Sequence, residues 1–157
     1  MAPITTSQFI RDLKDDHQRL LDTLEEARRL GLGTAEGRRC LFTCKELLTR
    51  HLRKEDTMLY PALRQSGARG AAGHAGQSGQ AGQADLGHVA DDFATEMQSL
   101  SGGLLDFFTR YDADAGRGDA GGLDFARELG RIIIALKLRI QREESRLYPA
   151  YEKARAV

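Results

Sequence analysis

The sequence has no net charge, no long apolar run and no tryptophan. Lysine and arginine number 23, as do aspartate and glutamate, so no overall field favours a nucleic acid or a membrane surface as partner. The N-terminal segment MAPITTSQF lacks the basic and apolar regions of a targeting signal, and no later stretch approaches membrane-spanning length. We therefore expect a cytoplasmic protein without a membrane or nucleic acid partner, and the length indicates one domain over residues 1–157.

Segments rich in valine, isoleucine and threonine are almost absent, and aromatic residues are few. Because these residue types are enriched in strands, the composition favours helices. Apolar residues instead recur at spacings of three and four, the pattern of an amphipathic helix. The pattern predicts four helices, at about residues 6–30, 34–63, 85–111 and 123–147. Joined in this order, they predict an all-α, up-down-up-down four-helix bundle.

Disulfides are not expected, because Cys40 and Cys44 lie one helical turn apart, where disulfide geometry is difficult. We interpret both as small apolar core residues. From Gly67 to Gly82, glycine recurs at every third position, without the proline that would stiffen a collagen-like strand. We predict a flexible loop over residues 66–87, between the second and third helices, with His74 solvated.

One segment of the chain occurs twice. HLRKEDTMLYP, residues 51–61, aligns without a gap with RIQREESRLYP, residues 139–149. The alignment matches Glu55 with Glu143, and both copies end in Leu-Tyr-Pro. The first two helices therefore form one helical hairpin and the last two form another of the same design, which brings the matched segments into one core.

Four polar residues interrupt the apolar faces of these helices: His17, His51, Glu55 and Glu143. The spacing His-x-x-x-Glu places an imidazole and a carboxylate on the same face of one helix, so both can reach one ion. Two buried carboxylates that face each other repel unless protons or cations lie between them. We interpret the four residues as metal ligands, and their mixture of imidazole and carboxylate suits iron, manganese or zinc. The alternative is a hydrogen-bonded core in which Arg139 pairs with Glu143.

The chain resembles the hemerythrin-like family of HHE cation-binding domains over almost its whole length. The likeness rests on DDHQRLL around His17, on the segment that carries His51 and Glu55, and on REESRLYP, which begins just before Glu143. The resemblance implies a four-helix bundle with two non-haem irons, bridged by the glutamates and completed by histidines. Members of the family bind oxygen, sense oxygen or iron, process nitric oxide or break down peroxide.

The second half of the chain departs from the family pattern. Arg139 stands where the fourth helix should carry histidine, and a guanidinium cannot ligate a cation. His88 is the histidine available on the third helix, so we include it among the candidate metal ligands. Helical phase instead favours Met97, in TEMQSL, because leucines follow it at three and seven residues, as they follow His17 in DDHQRL. The metal position nearer the first two helices keeps its ligands, whereas Arg139 could itself fill the vacated space at the other.

These features predict a non-haem iron protein with one or two irons per chain, which binds or senses oxygen, nitric oxide or peroxide. A first alternative is a metal-free helical module that kept the fold and serves in regulation or protein interaction. A second is a diiron enzyme that degrades peroxide, which needs His88, Glu96 or a tyrosine to complete the second metal position. The sequence leaves open whether the protein is an enzyme and whether it has a protein partner.

Overall fold

Helices account for most of the structure, a computed structural model that describes residues 2–72, 81–114 and 122–156. The helical elements in chain order are α1 (Thr6–Leu30), α2 (Ala35–Lys54), a π-helical turn (Glu55–Leu59), α3 (Tyr60–Ala72), α4 (Ala81–Asp114), α5 (Gly122–Arg142), a second π-helical turn (Glu143–Leu147) and α6 (Tyr148–Arg155). The π-turns join α2 to α3 and α5 to α6, which makes four long helices. The described residues contain no strand, and the predicted all-α four-helix bundle is confirmed. Among the helices described, none combines the length and the apolar character needed to cross a membrane.

Local signals in the sequence set the ends of the first helix. The Thr5 hydroxyl accepts a hydrogen bond from the Gln8 N–H at 3.2 Å, and the Gln8 side chain accepts one from the Thr5 N–H at 3.0 Å. This reciprocal pair is a capping box, and it fixes the start of the helix. Gly31 then ends the helix at φ 69°, a left-handed value that glycine adopts without strain.

The predicted loop over residues 66–87 is too wide. The helix α3 continues to Ala72 and α4 begins at Ala81, so helical structure extends into the glycine-rich stretch from both sides. Alanine has the highest helix propensity, and it alternates with the glycines here. The two helices also pack against each other, and an ion pair of 2.8 Å joins Arg64 to Asp91. His74 lies outside the described residues.

The core consists of two apolar clusters with a polar layer between them. Leu20, Leu48 and Leu136 belong to one cluster, whereas Leu13 and Leu59 belong to the other. The stripes of three of the four long helices therefore pass from one cluster to the other through buried polar positions, which are His17, His51, Glu55, Arg139 and Glu143. Cys44 is buried in the first cluster, where burial raises the pKa of its thiol to about 12, in accord with its interpretation as a core residue.

The duplicated segment forms a π-helical turn in both halves of the chain. The Tyr60 N–H donates to the carbonyl of Glu55, five residues earlier, and the Tyr148 N–H donates in the same way to Glu143. A proline follows each tyrosine, and the wider turn relieves the clash between its ring and the preceding helical turn. In a regular α-helix, side chains five residues apart diverge by about 140°. The π-turn reduces this divergence, so that the glutamate and the tyrosine of each copy are both buried.

Candidate metal centre

Four buried side chains from three of the long helices meet in the polar layer. His17 comes from α1, His51 from α2, Glu55 from the first π-turn and Glu143 from the second. Their exposed fractions are 3%, 4%, 0% and 2%. Each offers one ligand atom, and these atoms all lie within 4.8 Å of one another. We call these four residues the central cluster, and they are the four whose convergence the sequence predicts.

Three of the separations within the central cluster match those of ligands around one metal ion. The Nε2 atoms of His17 and His51 are 3.2 Å apart, and His17 Nε2 is 3.0 Å from Glu143 Oε2. His51 Nε2 is 3.5 Å from Glu55 Oε1. Ligand atoms about 2.1 Å from a common ion, in tetrahedral or octahedral geometry, lie roughly 3.0–3.5 Å from each other. The donor atoms are therefore arranged to hold a cation with small adjustments.

One carboxylate of the central cluster is incompletely satisfied. Glu55 Oε1 accepts a hydrogen bond of 3.0 Å from the Tyr148 hydroxyl. Glu55 Oε2 is buried and has no hydrogen-bond partner among the described residues. Leaving a buried acceptor unpaired is costly, and a cation at the centre would satisfy this atom. The unpaired oxygen is thus a second observation in favour of a metal ion.

Two further carboxylates contact the outer nitrogens of the two histidine rings. His17 Nδ1 is 2.8 Å from Glu144 Oε1, and His51 Nδ1 is 3.6 Å from Asp16 Oδ2. The His17 contact is a hydrogen bond of the kind that fixes ring orientation in metal sites and leaves the other nitrogen free to face the ion, whereas the His51 contact is a longer ion pair and His51 Nδ1 has no hydrogen-bond partner among the described residues. Lys54 in turn binds Asp16 at 2.6 Å. Burial alone would raise the pKa of Asp16, but its contacts with His51 and Lys54 lower it to about 2.

Sequence reasoning missed these outer carboxylates, although each is adjacent to a predicted ligand. Asp16 precedes His17 in the sequence, but its carboxylate contacts the ring of His51 on the neighbouring helix. Glu144 follows Glu143 at the start of a π-turn. Adjacency to a ligand was the available signal, but the pairing across helices depends on how the helices pack.

Tyr148 brings a hydroxyl group into the central cluster. In addition to its bond to Glu55, the hydroxyl lies 3.1 Å from His17 Nε2, and the two rings stack at 5.6 Å with an interplanar angle of 8°. Burial, together with the negative charge of Glu55, raises the pKa of Tyr148 above its usual value. The side chain therefore remains a protonated hydrogen-bond donor. The duplicated tyrosine was visible in the sequence, but its spacing from Glu143 implies this position only if the π-turn is known.

The guanidinium of Arg139 lies beside the central cluster in the second half of the bundle. Arg139 is buried, and its Nε donates to Glu143 Oε1 at 2.5 Å. Its other nitrogens donate to Glu96 Oε2 at 3.1 Å, to the Tyr60 hydroxyl at 3.1 Å and to the Phe93 carbonyl at 2.8 Å. The guanidinium carbon also lies 4.6 Å from the centre of the Phe93 ring. Each nitrogen of the Arg139 guanidinium thus has at least one oxygen acceptor.

The third long helix presents methionine rather than histidine to the centre. Met97 is buried and lines a small cavity together with His17, His51, Arg139 and Glu143. His88 is exposed, and it is not one of the four residues that converge in the described part of the chain. The helix α4 is regular throughout Ala81–Asp114, which keeps His88 on the face that helical phase assigns to it. The structure therefore does not bring His88, a predicted ligand, to the site.

Without a metal ion, we expect the free energy of unfolding to fall as the pH rises from about 6.5 to about 9. Burial disfavours the charged form of His51, but contacts with Asp16 and Glu55 and the charge of Glu143 outweigh it and raise the pKa to about 9. A raised folded-state pKa stabilises the fold below the unfolded value of 6.5, and this stabilisation is lost as the pH passes the folded value. The loss should be on the order of 3 kcal/mol.

Chemical denaturation in the presence of a chelator, at pH 6.5, 8 and 9.5, measures this loss. His51→Gln should remove most of the pH dependence, whereas the matched change His88→Gln at an exposed position should retain it. A free energy of unfolding that does not change over this window would contradict the prediction.

Comparison with known protein families gives one finding. The family described as Hemerythrin HHE cation binding domain matches residues 8–151, which is nearly the whole chain and contains all four residues of the central cluster. Comparisons with curated proteins and with solved structures find no match. On the family match, together with the helical bundle and the buried cluster of histidine and glutamate, the chain belongs to the hemerythrin HHE cation-binding family.

Proposed function

We propose that the protein is a non-haem iron protein that binds or senses a small ligand such as oxygen, nitric oxide or peroxide. In this proposal His17, His51, Glu55 and Glu143 hold the metal. The observation that supports it most is the convergence of four buried ligand atoms within 4.8 Å. Burying two imidazoles and two carboxylates together is expensive unless a cation or shared protons lie between them.

The donor set favours iron over the hard cations. Two imidazoles with carboxylates are the ligands of many non-haem ferrous sites, whereas magnesium and calcium prefer oxygen ligands alone. Manganese and zinc tolerate similar ligands, so the choice of iron also relies on membership of the family. Iron, when bound, would supply an open coordination position and a one-electron change of oxidation state.

The size of the cavity beside the central cluster favours a small ligand. This cavity measures about 10 Å³, which is close to the space that one water molecule needs. Two larger grooves, of about 590 and 300 Å³, lie against α4, and in the described part of the chain neither lining includes a residue of the central cluster. The centre therefore has no room for an organic substrate, and a ligand of two or three atoms beside a bound metal would require the lining side chains to shift.

The surrounding side chains would control the polarity of this space. Tyr148 keeps its proton and presents a hydroxyl donor to Glu55. Arg139 places a permanent positive charge next to Glu143. Apolar clusters on both sides of the polar layer exclude bulk water, so both groups act in a medium of low dielectric constant.

Elemental analysis of protein produced with iron in the medium tests the proposal. We expect iron in the purified wild-type protein, and near-ultraviolet charge-transfer absorption after oxidation. His17→Ala and His51→Ala should each lower the iron content strongly, as should Glu143→Ala. The matched change His88→Ala should leave it unaltered. Wild-type protein that stays free of metal after anaerobic reconstitution with ferrous iron would contradict the proposal.

A metal-free helical module is the second candidate, and one feature favours it. Arg139 and Tyr148 already supply hydrogen bonds to Glu143 and Glu55, so part of the central cluster is satisfied without an ion. A diiron enzyme that degrades peroxide has less support, because the second half of the site offers Arg139 and Met97 rather than imidazoles.

A further inference from the structure

We propose that this centre takes one divalent metal ion and that the guanidinium of Arg139 occupies the place of a second cation. The inference rests on the proposed function, because it specifies how many ions the proposed metal site holds. It is carried by the duplicated segments, whose two copies face each other across the same polar layer.

The two halves of the bundle offer unequal ligands at equivalent positions. In the first half, His51 and Glu55 are one helical turn apart and both face the centre. In the second half, Arg139 and Glu143 have the same spacing, and both are buried at the same layer. The histidine of the first half is thus matched by a side chain that is permanently protonated and has no lone pair to give to a metal.

The second half also lacks a histidine at the position equivalent to His17. The leucine spacing that aligns His17 with Met97 is borne out by the position of Met97, which lines the same cavity as His17. A thioether is a soft ligand that suits Cu(I) and is a poor ligand for ferrous iron. The second half-site therefore keeps a carboxylate and lacks both nitrogen donors.

The contacts of Arg139 resemble a coordination shell. Its nitrogens bind Glu143, Glu96, the hydroxyl of Tyr60 and the carbonyl of Phe93, which are all oxygen acceptors. An oxygen atom can accept a hydrogen bond from a guanidinium or give an electron pair to a metal ion. These four oxygens therefore satisfy the guanidinium as metal ligands would satisfy a cation. A metal ion at this position would have to displace a side chain that is fully anchored.

The charges around the centre also fit one divalent ion. Four carboxylates belong to the cluster or contact its histidines, and they are Asp16, Glu55, Glu143 and Glu144. Lys54 and Arg139 offset two of these negative charges. With both imidazoles neutral, two negative charges are left, which one divalent cation neutralises. A second divalent ion would leave an excess of positive charge in a buried site, which is unfavourable.

The number of metal ions in the site limits the peroxide chemistry that the site can support. In the diiron type of peroxide turnover, two irons share the two electrons that reduction of peroxide to water consumes, and this site would hold only one iron. The arrangement therefore favours binding or sensing over a diiron type of peroxide turnover.

Titration of the metal-free protein with Co²⁺ tests the inference, with absorption in the visible range and metal analysis after desalting as readouts. We expect saturation at about one cobalt ion per wild-type chain, with the spectrum of a site containing nitrogen and oxygen ligands. The double substitution Met97→His with Arg139→His should raise the count to about two. Arg139→His alone, a smaller perturbation, should add a second and weaker binding step.

Arg142→His is the matched control. Arg142 lies on the same helix and contacts the same Glu96 and Phe93 side chains, but it is half-exposed and is not ion-paired to Glu143. Its substitution should leave the count at about one. Two ions bound by the wild-type chain would overturn the inference and leave the proposed function standing, whereas no ion bound would overturn the proposed function itself. A count that does not rise in either Arg139 variant, with helicity retained by circular dichroism, would also overturn the inference.

Discussion

Ferrous iron at about 100 times its dissociation constant is expected to raise the midpoint of thermal unfolding by roughly 5–10 °C relative to the metal-free protein. The ligand atoms come from positions 17, 51, 55 and 143, so they converge only in the folded chain. An ion that binds the folded state alone adds its binding free energy to the free energy of unfolding, which amounts to about 2.7 kcal/mol under these conditions. Anaerobic thermal denaturation followed by circular dichroism measures the shift, and a chelator should reverse it.

Two histidine variants make this experiment specific. His17→Ala should abolish the shift, because it removes a buried nitrogen that lies within 3.2 Å of two other potential ligand atoms. His88→Ala changes the same residue type at an exposed position, and it should retain the full shift. If iron does not move the wild-type midpoint, the metal-free module becomes the better account of the protein.

The boundaries of the first helix could be predicted from sequence because the signals that set them are local. The apolar period indicates a helix, the Thr5–Gln8 pair marks its start and Gly31 marks its end. The structure has this helix at Thr6–Leu30. The ends next to the glycine-rich stretch were placed wrongly for the opposite reason. There the packing of α3 against α4 outweighs the low helix propensity of glycine, and packing is not a local property.

The central cluster could also be anticipated, because the polar residues interrupt apolar stripes and the segment occurs twice. The π-turns could not be anticipated in this way, because an apolar period of about 3.6 residues describes a regular α-helix and does not reveal a local five-residue turn. In hindsight, a carboxylate followed five residues later by a buried tyrosine and then proline indicates such a turn in both copies. This local change positions Tyr148 beside Glu55, and it is the reason that the sequence did not indicate a contact between the two residues.

Arg139 illustrates the limit of inference from spacing. Its pairing with Glu143, four residues later on the same face, was open to prediction. Its bonds to the Tyr60 hydroxyl and the Phe93 carbonyl join three of the long helices, and they depend on how those helices cross. Spacing thus identified the residue that departs from the family pattern, but the packed structure was needed to show what stabilises it there.

Replacing Arg139 with methionine is expected to lower the free energy of unfolding of the metal-free protein by about 3–5 kcal/mol. The change leaves Glu143 buried without its guanidinium partner and deprives the Tyr60 hydroxyl and the Phe93 carbonyl of a donor. Breaking a buried pair by removing one partner is far more costly than removing a surface pair, because the remaining charge cannot be solvated. Chemical denaturation in the presence of a chelator measures the loss.

Two further variants separate the buried ion pair from side-chain packing. Arg142→Met removes a half-exposed arginine that binds the same Glu96, and it should cost no more than about 1 kcal/mol. Combining Arg139→Met with Glu143→Gln removes both charges, and it should be less destabilising than Arg139→Met alone, because position 143 then carries no charge that lacks its partner. If Arg139→Met is no more harmful than Arg142→Met, then Glu143 does not depend on the guanidinium, and Arg139 cannot be acting there in place of a cation.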